Sequence, residues 1–308
     1  MSRQAQHDDI ATELARRIDP RAVLTDPGDC WTYGYDNSKR QGVPVAVVLP
    51  ATHEEAAQIV RACYEAEVPL TVRGRGTGTT GAAVPVRGGV VMSTERMNRI
   101  LSVDLANRVA VVQAGVTNGA LQREVESQGF FWPPDPTSAE YCSIGGNLGC
   151  NSAGPRAVKY GTPRENTLGL RAIDGTGETI RTGCYTTKGV VGYDLTRLLI
   201  GSEGTLAIIT EATLLLTPTP PALATMRALY ADIAGAAAAV SAIMAQAAIP
   251  RVLEFMDGAS IRLARDAAAL EIPDAAGAML IIEYDGQAET LDGGVSAIRR
   301  CVSYSQLR

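Results

Sequence analysis

Residues 73–81 read RGRGTGTTG and follow the apolar run VPLTV at residues 68–72. Gly76, Gly78 and Gly81 match the G-x-G-x-x-G fingerprint of Rossmann domains, and Glu95 follows at about the distance of their ribose-binding carboxylate. In a Rossmann unit the third glycine opens a helix that leads to the next parallel strand. Here only AAVPVRG separates the last glycine from the next apolar run, and Pro85 would break a helix there. The fingerprint therefore does not predict an NAD site.

A glycine-rich loop can hold a phosphate without a Rossmann fold. Its successive backbone N–H groups can form a concave anion nest, and glycine lets the backbone approach the ligand closely. Arg73 or Arg75 could add positive charge, although either side chain could equally be solvated. The alternative is a glycine-rich hairpin connection that binds nothing. Taken alone, the loop leaves both interpretations open.

Two further segments are also rich in small residues. The stretch PPDPTSAEYCSIGGNLGCNSAGPRAVKYG at 133–161 contains several glycines, two asparagines and several hydroxyls, and we expect it to be irregular. The stretch GSEGTLAII at 201–209 has the same character and leads into a strand. Bare backbone of this kind favours the close approach of a flat, bulky ligand. Three such loops predict a long cofactor that is contacted along its whole length.

Composition restricts the class of protein. The 308 residues carry a net charge of −5, with 46% hydrophobic and 20% charged residues, so the chain is long enough for two domains and gives no indication of nucleic-acid binding. The N-terminus lacks the apolar core of a signal peptide. The uncharged stretch 233–250 is mostly alanine and ends at proline, which favours a packed helix over a transmembrane segment. We predict a cytoplasmic protein.

Cysteine and histidine usage argues against disulfides and metal sites. The six cysteines form no C-x-x-C pair and are predicted to be reduced thiols. His7 and His53 are the only histidines, and neither has a neighbouring ligand pattern. His53 follows Thr52, a predicted N-cap, and Glu55 completes a capping box. We interpret His53 as a helix-start residue.

Strand and helix patterns alternate along the chain. Strands are predicted at 45–50, 70–72, 88–94, 108–115, 167–174, 178–183 and 205–217, and helices at 54–66 and around Leu121 and Val125. The segment TPTPPA at 217–222 is typical of a boundary. After it, a β-α-β-α-β pattern ends with AMLIIEY at 278–284 and predicts a second, smaller α+β unit.

Together these segments resemble the FAD-binding domain of the vanillyl-alcohol oxidase/PCMH superfamily, and in particular its glycolate oxidase FAD-binding subunit and D-lactate dehydrogenase branch. Residues 72–101, 133–161 and 190–216 carry the resemblance, and their order and spacing are kept over about residues 40–285. It implies an α+β fold in which a helical lead-in (1–40) precedes a PCMH-type FAD-binding domain of two α+β subdomains (41–220). The first part of an α+β substrate-cap domain (221–308) would follow.

The resemblance also implies a set of FAD-binding residues. Residues 72–78 would wrap the pyrophosphate, 136–147 and 151–154 would line the pyrophosphate, ribityl chain and isoalloxazine, and Glu203 to Ile209 would hold the adenosine end. The implied site residues are Val72, Arg73, Gly74, Arg75, Gly76, Thr77, Gly78, Pro136, Thr137, Ser138, Cys142, Ser143, Gly145, Gly146, Asn147, Asn151, Ser152, Ala153, Gly154, Tyr160, Glu203, Gly204, Ile208 and Ile209.

Some relatives attach FAD covalently through a histidine in the glycine loop, which this loop lacks, so we expect non-covalent FAD. Other relatives use a cysteine close to the position of Cys142, which we interpret instead as a small hydrophobic filler. Lys159 and Tyr160 flank the flavin loop. We expect Lys159 to be a solvated surface lysine and assign neither residue a catalytic role.

Catalysis in this family needs groups that the sequence does not contain. Family members place histidines, and in several cases a metal, in a motif similar to H-x-G-D-G-N-x-H after the cap, and no such motif occurs here. We therefore assign no catalytic residue and no metal ligand, and expect a C-terminally truncated or frame-shifted chain, or half of a split enzyme.

Two hypotheses follow from the resemblance. The first is an FAD-dependent oxidoreductase for a small D-2-hydroxy acid such as glycolate or D-lactate. The second is a flavin-binding fragment that turns over only with its missing half or a partner subunit. The expected partners are other subunits of a glycolate oxidase-type complex, which would place the chain at the periphery of the inner membrane. An NAD-linked dehydrogenase and an adaptor protein are disfavoured by the three loops.

Overall fold

The computed structural model of the chain describes residues 3–268 and 271–302. Residues 303–308, the end of the predicted cap segment, lie outside the described residues, as do residues 1–2 and 269–270. The chain divides into two compact units. The first comprises residues up to 153 together with 162–217, and the second comprises 154–161 and the residues from 218 onward. Both units combine helices with β-sheets, in agreement with the predicted α+β class.

The first unit begins with a four-stranded sheet. Its elements are α1 (Arg3–Arg17), a 3-10 turn (Pro20–Ala22), β1 (Val23–Leu24), α2 (Pro27–Thr32), β2 (Ala46–Val48), α3 (His53–Glu65), β3 (Leu70–Arg73) and β4 (Val90–Ser93). The strand order is β1-β2-β4-β3, in which β2 and β3 both run parallel to β4 and β1 is antiparallel to β2. Every residue of β4 is buried, as expected for a parallel strand covered on both faces.

Alternating side chains of the central strands bury both faces of this sheet. Val90 and Met92 of β4 join the core formed with α1 and α3, whereas Val91 lies in a second cluster with Cys30 of α2. The lead-in helix α1 contributes Leu14 to the first of these cores. The N-terminal segment is therefore part of the packing of the first unit.

Helix α3 begins where the capping pattern predicts. The Thr52 hydroxyl accepts a hydrogen bond from the backbone N–H of Glu55 at 3.1 Å. The Glu55 carboxylate reaches back to the N–H of Ala51 at 2.7 Å, one residue before the cap. The helix spans 53–65, within one residue of the predicted 54–66.

The connection between β3 and β4 corrects one of the two interpretations of the glycine loop. The strands are parallel, so residues 74–89 form a crossover that contains no helix, and the proposed hairpin is wrong. Pro85 and the glycines before β4 prevent a helix there, as predicted. Gly88 and Gly89 have φ values of +71° and +74°, and a Cβ on Gly89 would collide with the carbonyl oxygen of Pro69.

The rest of the first unit is a five-stranded antiparallel sheet with helices. Its elements are β5 (Ile100–Asp104), β6 (Val109–Gln113), α4 (Asn118–Glu126), β7 (Phe130–Phe131), α5 (Ile144–Cys150), β8 (Thr167–Ile173), β9 (Thr179–Gly183), α7 (Leu195–Leu199) and β10 (Ile208–Leu215). The sheet order is β5-β6-β10-β8-β9. The short helix α6 (Ala157–Tyr160) belongs to the second unit.

Helix α5 lies in the segment that we expected to be irregular. The Ser143 hydroxyl caps it by accepting from the N–H of Gly146 at 3.2 Å, and Asn151 ends it in the left-handed conformation. Ile144 and Leu148, one turn apart, are buried in the core of the sheet. Capping and burial outweigh the low helix propensity of the glycines.

The second unit follows the predicted order of elements. After β11 (Thr217–Pro218) come β12 (Ala222–Tyr230), α8 (Ile233–Met244), β13 (Val252–Asp257), α9 (Gly258–Ala268), β14 (Ala278–Gly286) and α10 (Ala288–Val302). The strands form an antiparallel sheet in the order β12-β14-β13. The alanine-rich helix α8 packs on this sheet through Ala236, Ala239 and Ile243. Over the described residues, the helices are too short or too polar to cross a membrane.

Candidate functional site

A cavity in the first unit opens to solvent and is lined by the three glycine-rich segments. The loop after β3, the segment around α5 and the residues before β10 each contribute to its wall, together with Thr94 after β4. Three segments far apart in sequence are therefore brought to one place.

Most of the implied FAD-binding residues lie on this cavity. The structure places the following predicted residues on its wall: Val72, Gly74, Arg75, Gly76, Thr77, Gly78, Ser138, Cys142, Ser143, Gly145, Gly146, Asn147, Ser152, Glu203, Gly204, Ile208 and Ile209. Seven predicted residues do not line it: Arg73, Pro136, Thr137, Asn151, Ala153, Gly154 and Tyr160.

Arg73 and Asn151 have other contacts within the first unit. Arg73 is 8% exposed, and its guanidinium donates through Nη1 to the carbonyl oxygen of Tyr35 at 2.5 Å. Asn151 ends helix α5, and its Oδ1 accepts from the backbone N–H of Arg164 at 3.2 Å. Both side chains hold neighbouring backbone in place.

Gly154 and Tyr160 belong to the second unit. There the Asp285 carboxylate contacts two side chains of helix α6. The Asp285 side chain is fully buried, forms an ion pair with Lys159 and accepts from the Tyr160 hydroxyl at 2.8 Å. The expectation that Lys159 is a solvated lysine is therefore wrong, because a buried carboxylate needs a charged partner. Burial, followed by the hydrogen bond to Asp285, raises the pKa of Tyr160.

The sequence did not identify several residues of the cavity wall: Asp36, Thr80, Ala82, Ala83, Thr94 and Cys150. Most of them are small residues adjacent to predicted ones, and extending the glycine-rich segments by a few positions would have included them. Asp36 is different, because it lies in YDNS at 35–38, which reads only as a turn. No sequence signal linked that turn to the glycine loop.

The backbone of the glycine loop is suited to an anion. Among the described residues, the N–H groups of residues 75–80 donate to no protein acceptor. The carbonyl oxygens of Thr77 and Gly78, in contrast, accept hydrogen bonds from Asn37. The loop thus offers donors for water or a ligand while two of its acceptors are occupied, which is the character of an anion nest.

Glycines on the cavity wall leave room that the protein itself does not fill. A Cβ on Gly145 would lie 2.7 Å from the Cβ of Ala114, so packing alone requires glycine there. At Gly78 and Gly149 a Cβ would meet nothing within 4 Å, and neither residue has a positive φ. Gly149 lies in α5, where glycine costs about 0.5–1 kcal/mol relative to alanine. Where neither packing nor backbone conformation requires glycine, the exposed backbone suits contact with a flat, bulky ligand such as FAD.

The remaining polar groups of the cavity are mostly neutral. Burial, followed by the charge of Glu203, raises the pKa of the Cys150 thiol. Cys142 is 4% exposed, and its sulfur accepts from Nδ2 of Asn147 at 3.3 Å. The ionisable side chains on the wall are, besides these two thiols, Asp36, Arg75 and Glu203. All six cysteines are free thiols.

His53 lies away from the cavity and serves packing. Its two ring nitrogens each lie 2.8 Å from a threonine hydroxyl, Nδ1 from Thr210 and Nε2 from Thr179. Burial lowers the pKa of His53, and the nearby Arg171 lowers it further. These contacts support the interpretation of His53 as a helix-start residue. In the part of the chain that the structure describes, no group of three or more His, Cys, Asp or Glu side chains could hold a metal ion.

Comparison with known proteins identifies two family models. One, described as an FAD binding domain, matches residues 44–183, and one described as the C-terminal domain of FAD linked oxidases matches 219–305. Among solved structures, an alkyldihydroxyacetonephosphate synthase superposes with a TM-score of 0.82 at 25% identity, covering 96% of this chain and 63% of that one.

Curated relatives are similar over most of this chain. The glycolate oxidase subunit GlcD of Bacillus subtilis is 43% identical over 267 residues, which is 86% of this chain and 57% of that protein. A D-lactate dehydrogenase of Anaerostipes hadrus is 35% identical over 82% of this chain and 54% of its own length. A D-2-hydroxyglutarate dehydrogenase of Xanthomonas citri is 38% identical over 68% of this chain and 44% of its own length. The chain thus spans about half the length of these relatives.

Proposed function

The chain belongs to the family of FAD-linked oxidases, and we propose that it binds FAD non-covalently in the glycine-lined cavity and serves the oxidation of a small D-2-hydroxy acid. Glycolate and D-lactate are the substrates that the names of the relatives suggest. The observation that carries the cofactor site is the convergence of three glycine-rich segments on one cavity, where the N–H groups of residues 75–80 have no acceptor among the residues that the structure describes.

Different parts of the wall suit different parts of FAD. The N–H groups of 75–80 and the Arg75 guanidinium are donors for the diphosphate. The segment from Ser138 to Ser152, with its bare glycine backbone, suits the ribityl chain and the flat isoalloxazine. The residues from Glu203 to Ile209 are left for the adenosine end, where a carboxylate can accept from ribose hydroxyls.

FAD supplies the redox chemistry when it is bound, because its N5 can accept a hydride from the carbon that carries the substrate hydroxyl. The chain's own residues bind and orient the cofactor, and small side chains let the backbone exclude water from its faces. Neither thiol is suited to act as a base: burial raises the pKa of Cys150, and the Cys142 sulfur already accepts from Asn147.

A second candidate is a flavin-binding protein that does not turn over alone. It is favoured by the contacts of the groups that would otherwise be candidate bases. His53 is occupied by two threonines, and Lys159 and Tyr160 are both bound to Asp285. Under this alternative, substrate oxidation needs further polypeptide, supplied by a partner chain.

Partners and location follow from the same relatives. Because several relatives are named as glycolate oxidase subunits, we propose that this chain acts with other subunits of a glycolate oxidase-type complex. We further propose a cytoplasmic location, with association at the inner membrane only through such subunits. Co-purification of a tagged chain with defined candidate subunits, in the presence and absence of membranes, tests both statements.

Anaerobic reduction separates the two candidates. FAD-loaded protein is mixed with D-lactate or glycolate, with L-lactate as the matched control, and the flavin absorbance is followed. Loss of the oxidised flavin spectrum with a D-2-hydroxy acid or glycolate supports the oxidoreductase. A spectrum that stays oxidised, while dithionite still reduces it, supports the flavin-binding alternative and contradicts independent turnover.

A further inference from the structure

We infer that residues 33–42, which we call the brace, position the glycine loop for the diphosphate of FAD, an inference that rests on the proposed function. The sequence assigns the first part of this segment to the lead-in and gives it no part in binding. Asp36, however, lies on the cavity wall, and its neighbours contact the loop that carries the free N–H groups.

Asn37 holds the carbonyl side of the glycine loop. Its backbone N–H donates to the carbonyl oxygen of Gly78 at 3.0 Å, and its Nδ2 donates to that of Thr77 at 3.3 Å. A peptide whose carbonyl is fixed on one side presents its N–H away from that side. Occupying these two oxygens also keeps negative partial charge from turning toward a bound diphosphate.

Arg73 ties the base of the loop to the brace. Its Nη1 donates to the Tyr35 carbonyl oxygen at 2.5 Å, and its guanidinium lies 5.9 Å from the centre of the Tyr33 ring. A Cβ on Gly76 would collide with Nη2 of Arg73, so the guanidinium lies directly against the loop backbone. Burial lowers the pKa of Arg73, and the negative charge of Asp36 opposes that shift.

Hydrogen bonds within the brace join its two ends, so the segment can hold the glycine loop in a fixed position. The N–H of Gly42 donates to the carbonyl oxygen of Gly34 at 2.9 Å, and Tyr35 and Gln41 form an isolated β-bridge. At its tip, Oδ1 of Asp36 accepts from the N–H of Ser38 at 2.8 Å. A Cβ on Gly42 would collide with the Pro85 carbonyl, so the brace also packs against the far end of the β3–β4 connection.

The brace is assigned a positioning role, and loss of its contacts should therefore change the affinity of some ligands and not of others. A support for the diphosphate nest should matter for FAD and for ADP, which carry a diphosphate, and not for riboflavin, which carries none. General loosening of the first unit would weaken all three ligands alike. The comparison of ligands therefore separates positioning from mere structural support.

The experiment measures the dissociation constants of FAD and riboflavin by flavin fluorescence, and of ADP by displacement of FAD. The variants are Arg73→Met and Asn37→Ala, with Arg181→Met, an exposed arginine on β9, as the matched control. Asn37 is exposed, so its variant keeps the fold if Arg73→Met does not. We expect Arg73→Met to weaken FAD and ADP about tenfold, because it removes the hydrogen bond to Tyr35 and the guanidinium that lies against Gly76. We expect Asn37→Ala to weaken them about threefold, because it removes only the side-chain hydrogen bond to Thr77 and keeps the backbone one.

Riboflavin affinity should change by less than about twofold, which is below the effect of one hydrogen bond. The control should leave all three constants unchanged. Equal losses for FAD and riboflavin, or unchanged FAD binding in both variants, would overturn the brace while leaving the cofactor site in place. Failure of the wild-type protein to bind FAD would instead overturn the proposed function, and the brace with it.

Discussion

Substitution of Gly149 by alanine should change the stability of the apoprotein and its affinity for FAD in opposite directions. Gly149 lies in the last turn of α5 and lines the cavity, and outside its chain neighbours and its own helix backbone no atom lies within 4 Å of the position that a Cβ would take. The added methyl group therefore meets no steric obstacle in the apoprotein. Replacing glycine by alanine in a helix stabilises it by about 0.5–1 kcal/mol, which corresponds to a rise in Tm of about 2 °C.

The same methyl group enters the space that we assign to FAD. Forcing an extra methyl group into a packed contact costs about 1–3 kcal/mol, which weakens FAD binding roughly 5- to 150-fold. At an FAD concentration one hundred times the wild-type Kd, the wild-type protein gains about 2.7 kcal/mol, whereas a variant with tenfold weaker affinity gains about 1.4 kcal/mol. The variant should thus be more stable than wild type without FAD and less stable with it.

The assay is thermal unfolding at several FAD concentrations, together with direct titration of FAD. Gly293→Ala is the matched control, because Gly293 lies in the middle of α10, is exposed and likewise has nothing within 4 Å of a Cβ. The control should gain stability equally with and without FAD. If Gly149→Ala binds FAD as tightly as wild type, α5 does not contact the cofactor, and its assignment to the FAD site is wrong.

Three further predictions concern side-chain contacts within each of the two units. Gly145→Val should lower the unfolding free energy of the apoprotein by about 1–3 kcal/mol, because its Cβ would lie 2.7 Å from that of Ala114; an unchanged urea midpoint would contradict this. Asp285→Asn should lower it by about 3–5 kcal/mol, since Lys159 loses its buried partner, and adding Lys159→Met should restore part of the loss in thermal unfolding. Burial lowers the pKa of His53 below its usual 6.5, so the unfolded state binds a proton at this histidine more readily than the folded state does. The free energy of unfolding should therefore fall as the pH drops from 7.5 through 6.5. In urea titrations, His53→Gln should show a shallower dependence of stability on pH.

Sequence reasoning predicted the parts of the fold that depend on local pattern. The capping box at Thr52 and the alternation of apolar runs indicated the helix at 53–65 and most strands within a few residues. It could not predict that β3 and β4 are parallel, because strand direction depends on non-local pairing. It also missed α5, whose glycines disfavour a helix unless the burial of Ile144 and Leu148 is known.

The candidate site was predictable where its walls are continuous stretches of small residues. At Gly78 and Gly149 the chain's own packing gives no reason for glycine, and this excess of glycine is visible in the sequence. The direction of the side chains in the glycine loop could not be predicted from the sequence. Arg73 and Arg75 are two residues apart, yet only Arg75 reaches the cavity, while Arg73 is buried against the brace. The role of Asn37 depends on a loop that lies forty residues further along the chain.

The most direct test of the central claim is the visible absorption spectrum of the purified chain after incubation with FAD and removal of free cofactor. We predict a bound flavin spectrum at about one flavin per chain, with all of the flavin released into the supernatant when the protein is denatured and precipitated. A folded protein that retains no flavin would contradict the glycine-lined cavity as an FAD site. Flavin that stays with the precipitate would contradict non-covalent binding.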